Sequence, residues 1–175
     1  KNLPLHKVRG DIVADESFFD DNLRIKSWNK KWGVEAYNAP LGALSFNFNT
    51  VTVYVTPGEK PGDRPVVVVD PDIEFIRVDN RARTVSTSKR SRLIVNRVDR
   101  GGHNEITVSG VISVNHFRET YYLNVTQPAY YAAMVFKEYL RQAGIEVTGK
   151  VRVGFIPKGA YELSIHSSMP LSLIL

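Results

Sequence analysis

The sequence contains no cysteine among its 175 residues, and this absence excludes several kinds of chemistry. Without thiols the chain has no disulfide framework, no Cys-based zinc site and no cysteine nucleophile. No apolar run approaches the roughly 20 residues of a membrane-spanning helix, so we predict no transmembrane segment. Hydrophobic residues make up 43% of the chain, which predicts a globular protein held together by its core.

Motifs that hold metals or phosphates are also missing. The four histidines, His6, His103, His116 and His166, do not have the spacing of zinc ligands. Neither standard Gly-rich phosphate loop occurs. Carboxylates cluster at residues 11, 15, 16, 20 and 21, where a strand is followed by a loop, a position at which such groups are usually solvated. We therefore predict no metal, no cofactor and no catalytic group in this chain.

The net charge is +5, and much of the excess lies in one segment. The basic residues of this segment are Arg77, Arg81, Arg83, Lys89, Arg90, Arg92, Arg97 and Arg100. One interpretation is a surface that attracts polyanions. The other is the solvated outer face of strands, where charge discourages edge pairing. No aromatic side chain lies between these basic residues in the sequence to stack on a nucleobase, so we do not expect nucleic acid as a partner.

Hydrophobicity alternates with a period of two across most of residues 43–125. Residues 50–56, Thr-Val-Thr-Val-Tyr-Val-Thr, alternate throughout and end at Pro57-Gly58. Further short runs follow at 65–70, 73–78, 84–88, 92–98, 105–114 and 119–125, and turn residues separate several of them. Short strands at this spacing predict an all-β sandwich or barrel.

The pattern then changes to that of a helix. Residues 129–143 are preceded by Pro128 and followed by Gly144, which are the expected start and stop signals of a helix. The predicted apolar face consists of Ala132, Val135, Phe136, Tyr139, Leu140 and Ala143. Strands are predicted at 9–15 and 145–155. We therefore predict an α+β fold, in which an α/β domain (residues 1–38 and 127–175) is interrupted by an all-β domain (residues 39–126).

Three short matches resemble the motifs of penicillin-interacting serine enzymes. They are Ser-x-x-Lys from Ser27 to Lys30, Ser-x-Asn from Ser113 to Asn115, and a Lys-Gly fragment at Lys158. A Ser-x-x-Lys pair works on a helix, where lysine can take the serine proton. The sequence around Ser27 has no helical apolar face, and Ser113 belongs to a predicted strand. We interpret all three matches as coincidental.

Other segments carry a specific resemblance. Gly-Asp-Ile-Val-Ala-Asp-Glu-Ser-Phe-Phe at 10–19 and Ala-Pro-Leu-Gly-Ala-Leu-Ser-Phe-Asn-Phe-Asn at 39–49 are similar to segments of type-4 penicillin-binding proteins. The Pro-Ala-Tyr-Tyr-Ala helix at 128–132, Gly-Ile-Glu-Val-Thr-Gly at 144–149 and residues 166–175 also resemble that family. These proteins are D-alanyl-D-alanine carboxypeptidase/endopeptidases.

The resemblance implies that this chain is the non-catalytic region inserted between the first and second catalytic motifs of a serine peptidase. The nucleophile, the general base and the oxyanion donors would lie in the catalytic domain of the longer protein that contains this chain, here called the parent. The parent, and not this chain alone, is therefore expected to be the enzyme. The implied partners are that catalytic domain and the peptidoglycan stem peptide. The implied location is periplasmic or extracytoplasmic, with any signal peptide outside these residues.

The resemblance also implies one link to substrate. Asp15 matches an acidic position that in some family members faces a pocket for the ammonium-bearing side chain of the stem peptide, with Phe19 as an apolar wall. A carboxylate there can pair with an ammonium group. The alternative for Asp15 is a cap that ends a strand or loop. The alternative for the whole chain is a polyanion- or partner-binding β-rich module with no link to a peptidase.

Overall fold

The computed structural model describes residues 5–20, 22–24, 33–86 and 90–165. The strands in these ranges are β1 (Lys7–Val8), β2 (Ile12–Ala14), β3 (Thr50–Thr56), β4 (Val66–Asp70), β5 (Ile76–Asn80), β6 (Arg83–Val85), β7 (Arg92–Asp99), β8 (Asn104–Ser113), β9 (Glu119–Asn124), β10 (Glu146–Val147) and β11 (Val151–Val153). They are accompanied by one α-helix, α1 (Pro128–Gln142), and by 3-10 turns at Ala36–Asn38 and Asn47–Asn49. The described chain is therefore α+β, mostly sheet with a single helix, as predicted.

The first large sheet has β3 at its centre. β4 and β9 pair antiparallel with its two edges. The alternation over residues 50–56 correctly predicts the inward side chains, since Val51, Val53 and Val55 are fully buried. Thr50 and Thr52 are also buried, so β3 is covered on both faces.

The second large sheet has β8 at its centre. β7 runs antiparallel along one edge, while β5 and β6 run parallel, one after the other, along the opposite edge. The register continues through the gap between β5 and β6, where the Arg81 amide donates to the Val108 carbonyl at 2.7 Å. β5 and β6 therefore behave as one interrupted strand.

A single apolar cluster joins the two large sheets to the helix. It includes Val53 from β3, Ile106 from β8 and Tyr131 from α1, all of them fully buried. The ring of Phe75, just before β5, lies 5.3 Å from Tyr130 in an edge-to-face contact. Burial of this apolar surface is the main favourable term that holds the sheets and the helix together.

The helix packs with a different face from the one that the sequence predicts. Phe136 is 54% exposed and Tyr139 is 52% exposed, so the predicted apolar face was wrong for its two largest residues. Val135 of the predicted face is buried, as expected, but it is buried together with Tyr131 and Met134, which the prediction left out. On this face the Tyr131 hydroxyl, which needs a hydrogen-bond partner once its ring is buried, donates to the Thr50 carbonyl at 2.8 Å.

Strands from the two halves of the chain pair beneath the helix. β1 runs parallel to β10, and β2 runs parallel to β11. The predicted strand 145–155 is divided into β10 and β11 at Gly149. A Cβ atom on Gly149 would lie 2.0 Å from the Gly10 carbonyl oxygen, so only glycine allows the two backbones to come this close.

Candidate functional site

Asp15 directly follows β2, and main-chain donors hold its carboxylate. Oδ1 accepts a hydrogen bond from the Ser17 amide at 2.9 Å, and Oδ2 accepts one from the Ile156 amide at 2.6 Å. Hydrogen bonds from Ser17, followed by the one from Ile156, hold the pKa of Asp15 below its usual value. The carboxylate is therefore ionised at neutral pH and fixed between the end of β2 and the segment after β11.

Phe19 lies in the loop that Asp15 begins. The loop turns through a hydrogen bond from the Phe19 amide to the Glu16 carbonyl at 3.2 Å. The ring of Phe19 is 57% exposed and contacts Phe18 edge to face at 5.2 Å. An apolar ring this accessible can form one wall of a site.

A small cleft lies beside this loop. Its volume is about 220 Å³, and its lining residues are Glu16, Phe19, Asp20, Leu23, Gly42 and Ala43. Asp15 does not line it, so the structure places Phe19 in a cleft with two other carboxylates. Whole small-molecule sites are usually about 300–1,000 Å³, so this cleft has room for the end of one side chain.

Gly42 is one of the residues that line the cleft. A Cβ atom there would lie 2.8 Å from Glu16 Oε1 and 3.1 Å from Pro128 Cγ. Glycine therefore lets the 41–43 segment pack against the acidic loop and the start of α1. The sequence signal for this grouping was the carboxylate cluster at 11–21, which we had assigned to solvated side chains.

The structure also locates two of the three serine-enzyme motif matches. Ser113 is the last residue of β8, as predicted, and its amide donates to Ser91 Oγ at 2.9 Å. Lys158 lies in an exposed turn after β11, closed by the Ala160 amide and the Pro157 carbonyl at 3.1 Å. Ser27 and Lys30 lie outside the described residues.

The described ranges offer neither a metal site nor a membrane-spanning helix. They contain no group of three or more histidine, cysteine or acidic side chains able to hold a metal ion. None of their helices is long and apolar enough to cross a membrane.

Comparison with known proteins places this β-rich α+β chain in a peptidase family. A sequence profile of the D-Ala-D-Ala carboxypeptidase 3 (S13) family matches residues 3–175. The chain belongs to this family, as the resemblance predicted. It is 31% identical over 177 residues to the D-alanyl-D-alanine carboxypeptidase of Actinomadura sp. (strain R39), covering 96% of this chain and 32% of that protein.

Two further comparisons involve Haemophilus influenzae. The D-alanyl-D-alanine carboxypeptidase DacB of strain ATCC 51907 / DSM 11121 / KW20 / Rd is 25% identical over 172 residues, which is 98% of this chain and 35% of that protein. The crystal structure of penicillin binding protein 4 (dacB) from that species shares the fold, with a TM-score of 0.63 at 23% identity over 87% of this chain and 33% of that one. The chain spans about a third of the length of these curated relatives.

Proposed function

We propose that this chain is a non-catalytic inserted region of a serine-type D-Ala-D-Ala carboxypeptidase/endopeptidase that acts in peptidoglycan maturation or remodelling. The observation that carries the proposal is the share of this chain, and of each relative, that the matches span. The family match extends over nearly the whole chain, yet the chain accounts for only 32% and 35% of the two curated relatives. Ser113, the serine of the Ser-x-Asn match, is a strand residue, in keeping with a coincidental match and a non-catalytic role.

The proposed domain organisation is an α/β domain of residues 1–38 and 127–175, with 39–126 as an inserted all-β sandwich. An insertion requires the chain to enter and leave the inserted domain at neighbouring points. The buried Asn124 side chain connects these points, since its Nδ2 donates to the Gly33 carbonyl at 3.1 Å and to the Glu35 carbonyl at 2.9 Å. The parallel pairing of β1 with β10 and of β2 with β11 is the arrangement expected of an outer domain built from both ends.

In the parent enzyme, chemistry would take place outside this region. The family resemblance implies that an activated serine attacks the terminal D-Ala-D-Ala peptide bond, releases D-alanine and forms an acyl-enzyme, which water then hydrolyses. The inserted region would help to position the enzyme and would contact its substrate. We propose an extracytoplasmic location for the whole protein.

Asp15 and Phe19 are the proposed substrate contacts. The Asp15 carboxylate is kept ionised by donors from Ser17 and Ile156, yet a carboxylate offers about four acceptor positions, so capacity remains for an ammonium group. Phe19 presents an exposed ring in the same loop. A side chain with an alkyl stem and a terminal ammonium could contact both groups, its stem on the Phe19 ring and its ammonium on the Asp15 carboxylate.

The gene sequence on either side of these 175 residues tests the proposal directly. We expect Ser-x-x-Lys upstream, and Ser-x-Asn followed by Lys-Thr-Gly downstream, in one reading frame. A reading frame that lacks those motifs on both sides would contradict the inserted-region assignment, although not the family membership.

A further inference from the structure

The outer face of the β5–β6/β8/β7 sheet carries the basic segment found in the sequence. Side chains alternate across this sheet, so Ile106, Val108 and Ile112 of β8 point to the core and are buried. The intervening residues of β8, and those in register with them on β5, β6 and β7, point outward. No described residue of this outward set is buried, so the face is open to solvent.

Several basic residues are already occupied by contacts within the chain. Arg81 pairs with Asp79 at 2.5 Å, and Arg100 pairs with Glu105 at 2.6 Å. Arg97 points inward, where its Nε donates to the Asn124 carbonyl at 3.0 Å. At one end of the face, the carboxylates of Asp79 and Glu105 are thus paired with Arg81 and Arg100, whereas Arg77, in register with Glu105, is exposed.

The other end of the face keeps its positive charge. Arg83 and Arg92 both pair in register with Val111 of β8, one from each side. With adjacent strands about 4.8 Å apart, their Cα atoms are separated by about 10 Å. The structure shows no ion pair for either arginine in the described part of the chain, and both are exposed, as is Arg90.

No acidic side chain of the sheet balances this end. Asp79 is four residues from Arg83, about 13 Å along an extended strand, and is engaged with Arg81. The turn at 59–64, which borders β6, contributes two acidic and two basic residues and leaves the balance unchanged. Along β8, Ser109 and Ser113 each lie two residues from Val111 on the same outward face. The Ser109 hydroxyl donates a long hydrogen bond to the Ile94 carbonyl at 3.5 Å and its oxygen can still accept or its proton be redirected to a ligand.

We propose that Arg83, Arg90 and Arg92, with the hydroxyls of Ser109 and Ser113, bind a linear phosphate-bearing polymer. The planar guanidinium fork of arginine matches the oxygens of a phosphate in a bidentate manner. The segment from Arg77 to Arg100 contains no aromatic residue, so these strands themselves can contact a charged backbone but supply no ring on which a nucleobase can stack. This inference does not depend on the proposed peptidase role, because it rests only on charges and register within the sheet.

The test uses fluorescein-labelled, short-chain inorganic polyphosphate, with binding measured by anisotropy from about 50 to about 200 mM salt. The wild-type chain should bind, and the logarithm of its binding constant should fall linearly with the logarithm of the salt concentration. Arg83→Gln/Arg92→Gln should weaken binding at the lowest salt by on the order of tenfold or more, and reduce the salt slope by about two. Circular dichroism and thermal unfolding establish that each variant is folded.

Arg141→Gln/Arg152→Gln is the matched control. It removes the same charge from two exposed arginines on α1 and β11, and should change the affinity by less than about twofold. Equal loss in both double variants would mean that net charge alone drives binding and would overturn the site. Absence of wild-type binding, or equal affinity for the carboxylated polymer hyaluronate, would overturn the phosphate assignment. Tighter binding of a single-stranded oligonucleotide than of polyphosphate would reassign the face to nucleic acid.

Discussion

The hydroxyl of Tyr131 on α1 donates a hydrogen bond of 2.8 Å to the main-chain carbonyl of Thr50 at the start of β3. This bond joins the helix to the central strand of the first sheet within the buried core. Asn47 Nδ2 also donates to that carbonyl, at 3.3 Å, so the oxygen retains a partner if the tyrosine hydroxyl is lost. We expect Tyr131→Phe to lower the free energy of unfolding by about 0.5–1.5 kcal/mol, measured by urea denaturation at neutral pH.

Tyr131 also makes the free energy of unfolding depend on pH in the alkaline range. Burial, followed by the charge of Asp70, raises the pKa of Tyr131 in the folded state. Because the pKa is raised, the protonated hydroxyl stabilises the folded state. This stabilisation is fully present below the tyrosine pKa of the unfolded chain, about 10, and is lost as the pH rises above that value. The difference in stability between wild type and Tyr131→Phe should therefore shrink from pH 9 to higher values. A constant difference would show that the hydroxyl is accessible to water.

The exposed side of α1 gives a second prediction. Since the Phe136 ring is 54% exposed, Phe136→Ala should reduce the free energy of unfolding by less than about 1 kcal/mol. Tyr131→Ala on the same helix should cost about 3–5 kcal/mol, because it removes a fully buried aromatic ring. Comparable losses in the two variants, measured by urea denaturation, would show that Phe136 is packed in solution.

The sequence predicted most elements but not how the helix is rotated. Alternation correctly located β3, β7, β8 and β9, because one face of each strand must be apolar to be buried, and an unbroken β-branched run located β4. The helix contains apolar residues around most of its circumference, so periodicity alone did not separate Phe136 from Met134. The choice depends on a long-range partner, the Thr50 carbonyl. Likewise, the grouping of Phe19 with Glu16 and Asp20 depends on Gly42, which no local pattern connects to that loop.

Asn124 carries a third prediction, because three contacts meet at its buried amide. Nδ2 donates to the carbonyls of Gly33 and Glu35, while Oδ1 accepts a hydrogen bond from Arg97. Asn124→Ala leaves these groups without that partner, and we expect a loss of about 2–4 kcal/mol in the free energy of unfolding. Hydrogen exchange at residues 33–35 should accelerate more than exchange within β8. Uniform acceleration would indicate that Asn124 does not act locally.

Covalent labelling provides a fourth prediction. The isolated chain should form no adduct with a fluorescent penicillin and should release no D-alanine from a stem peptide, because it lacks the family's catalytic motif set. The sequence around Ser27 has no helical apolar face, and Ser113 lies in a strand. Denaturing electrophoresis detects any adduct, with the intact parent protein as the labelled positive control. Labelling of the chain that disappears in Ser27→Ala or Ser113→Ala would contradict the non-catalytic assignment.

The final prediction concerns Asp15 in the intact parent enzyme. If its carboxylate faces the ammonium group of a stem-peptide side chain, Asp15→Asn should lower kcat/KM by roughly ten- to a hundredfold for substrates that carry this group. The loss should largely vanish with a substrate whose amine is acetylated, since the acetylated side chain has no charge to pair.

Asp11→Asn is the appropriate control for structural damage. Asp11, at the start of the same strand, accepts a hydrogen bond from the Lys150 amide at 2.9 Å and pairs with Arg152. Its carboxylate therefore ties β2 to β11 much as Asp15 ties β2 to Ile156. Both substitutions should disturb this pairing, but only Asp15→Asn should discriminate between the free and the acetylated amine. An equal loss on both substrates for Asp15→Asn would assign the residue to holding the strand end, with no direct contact to substrate.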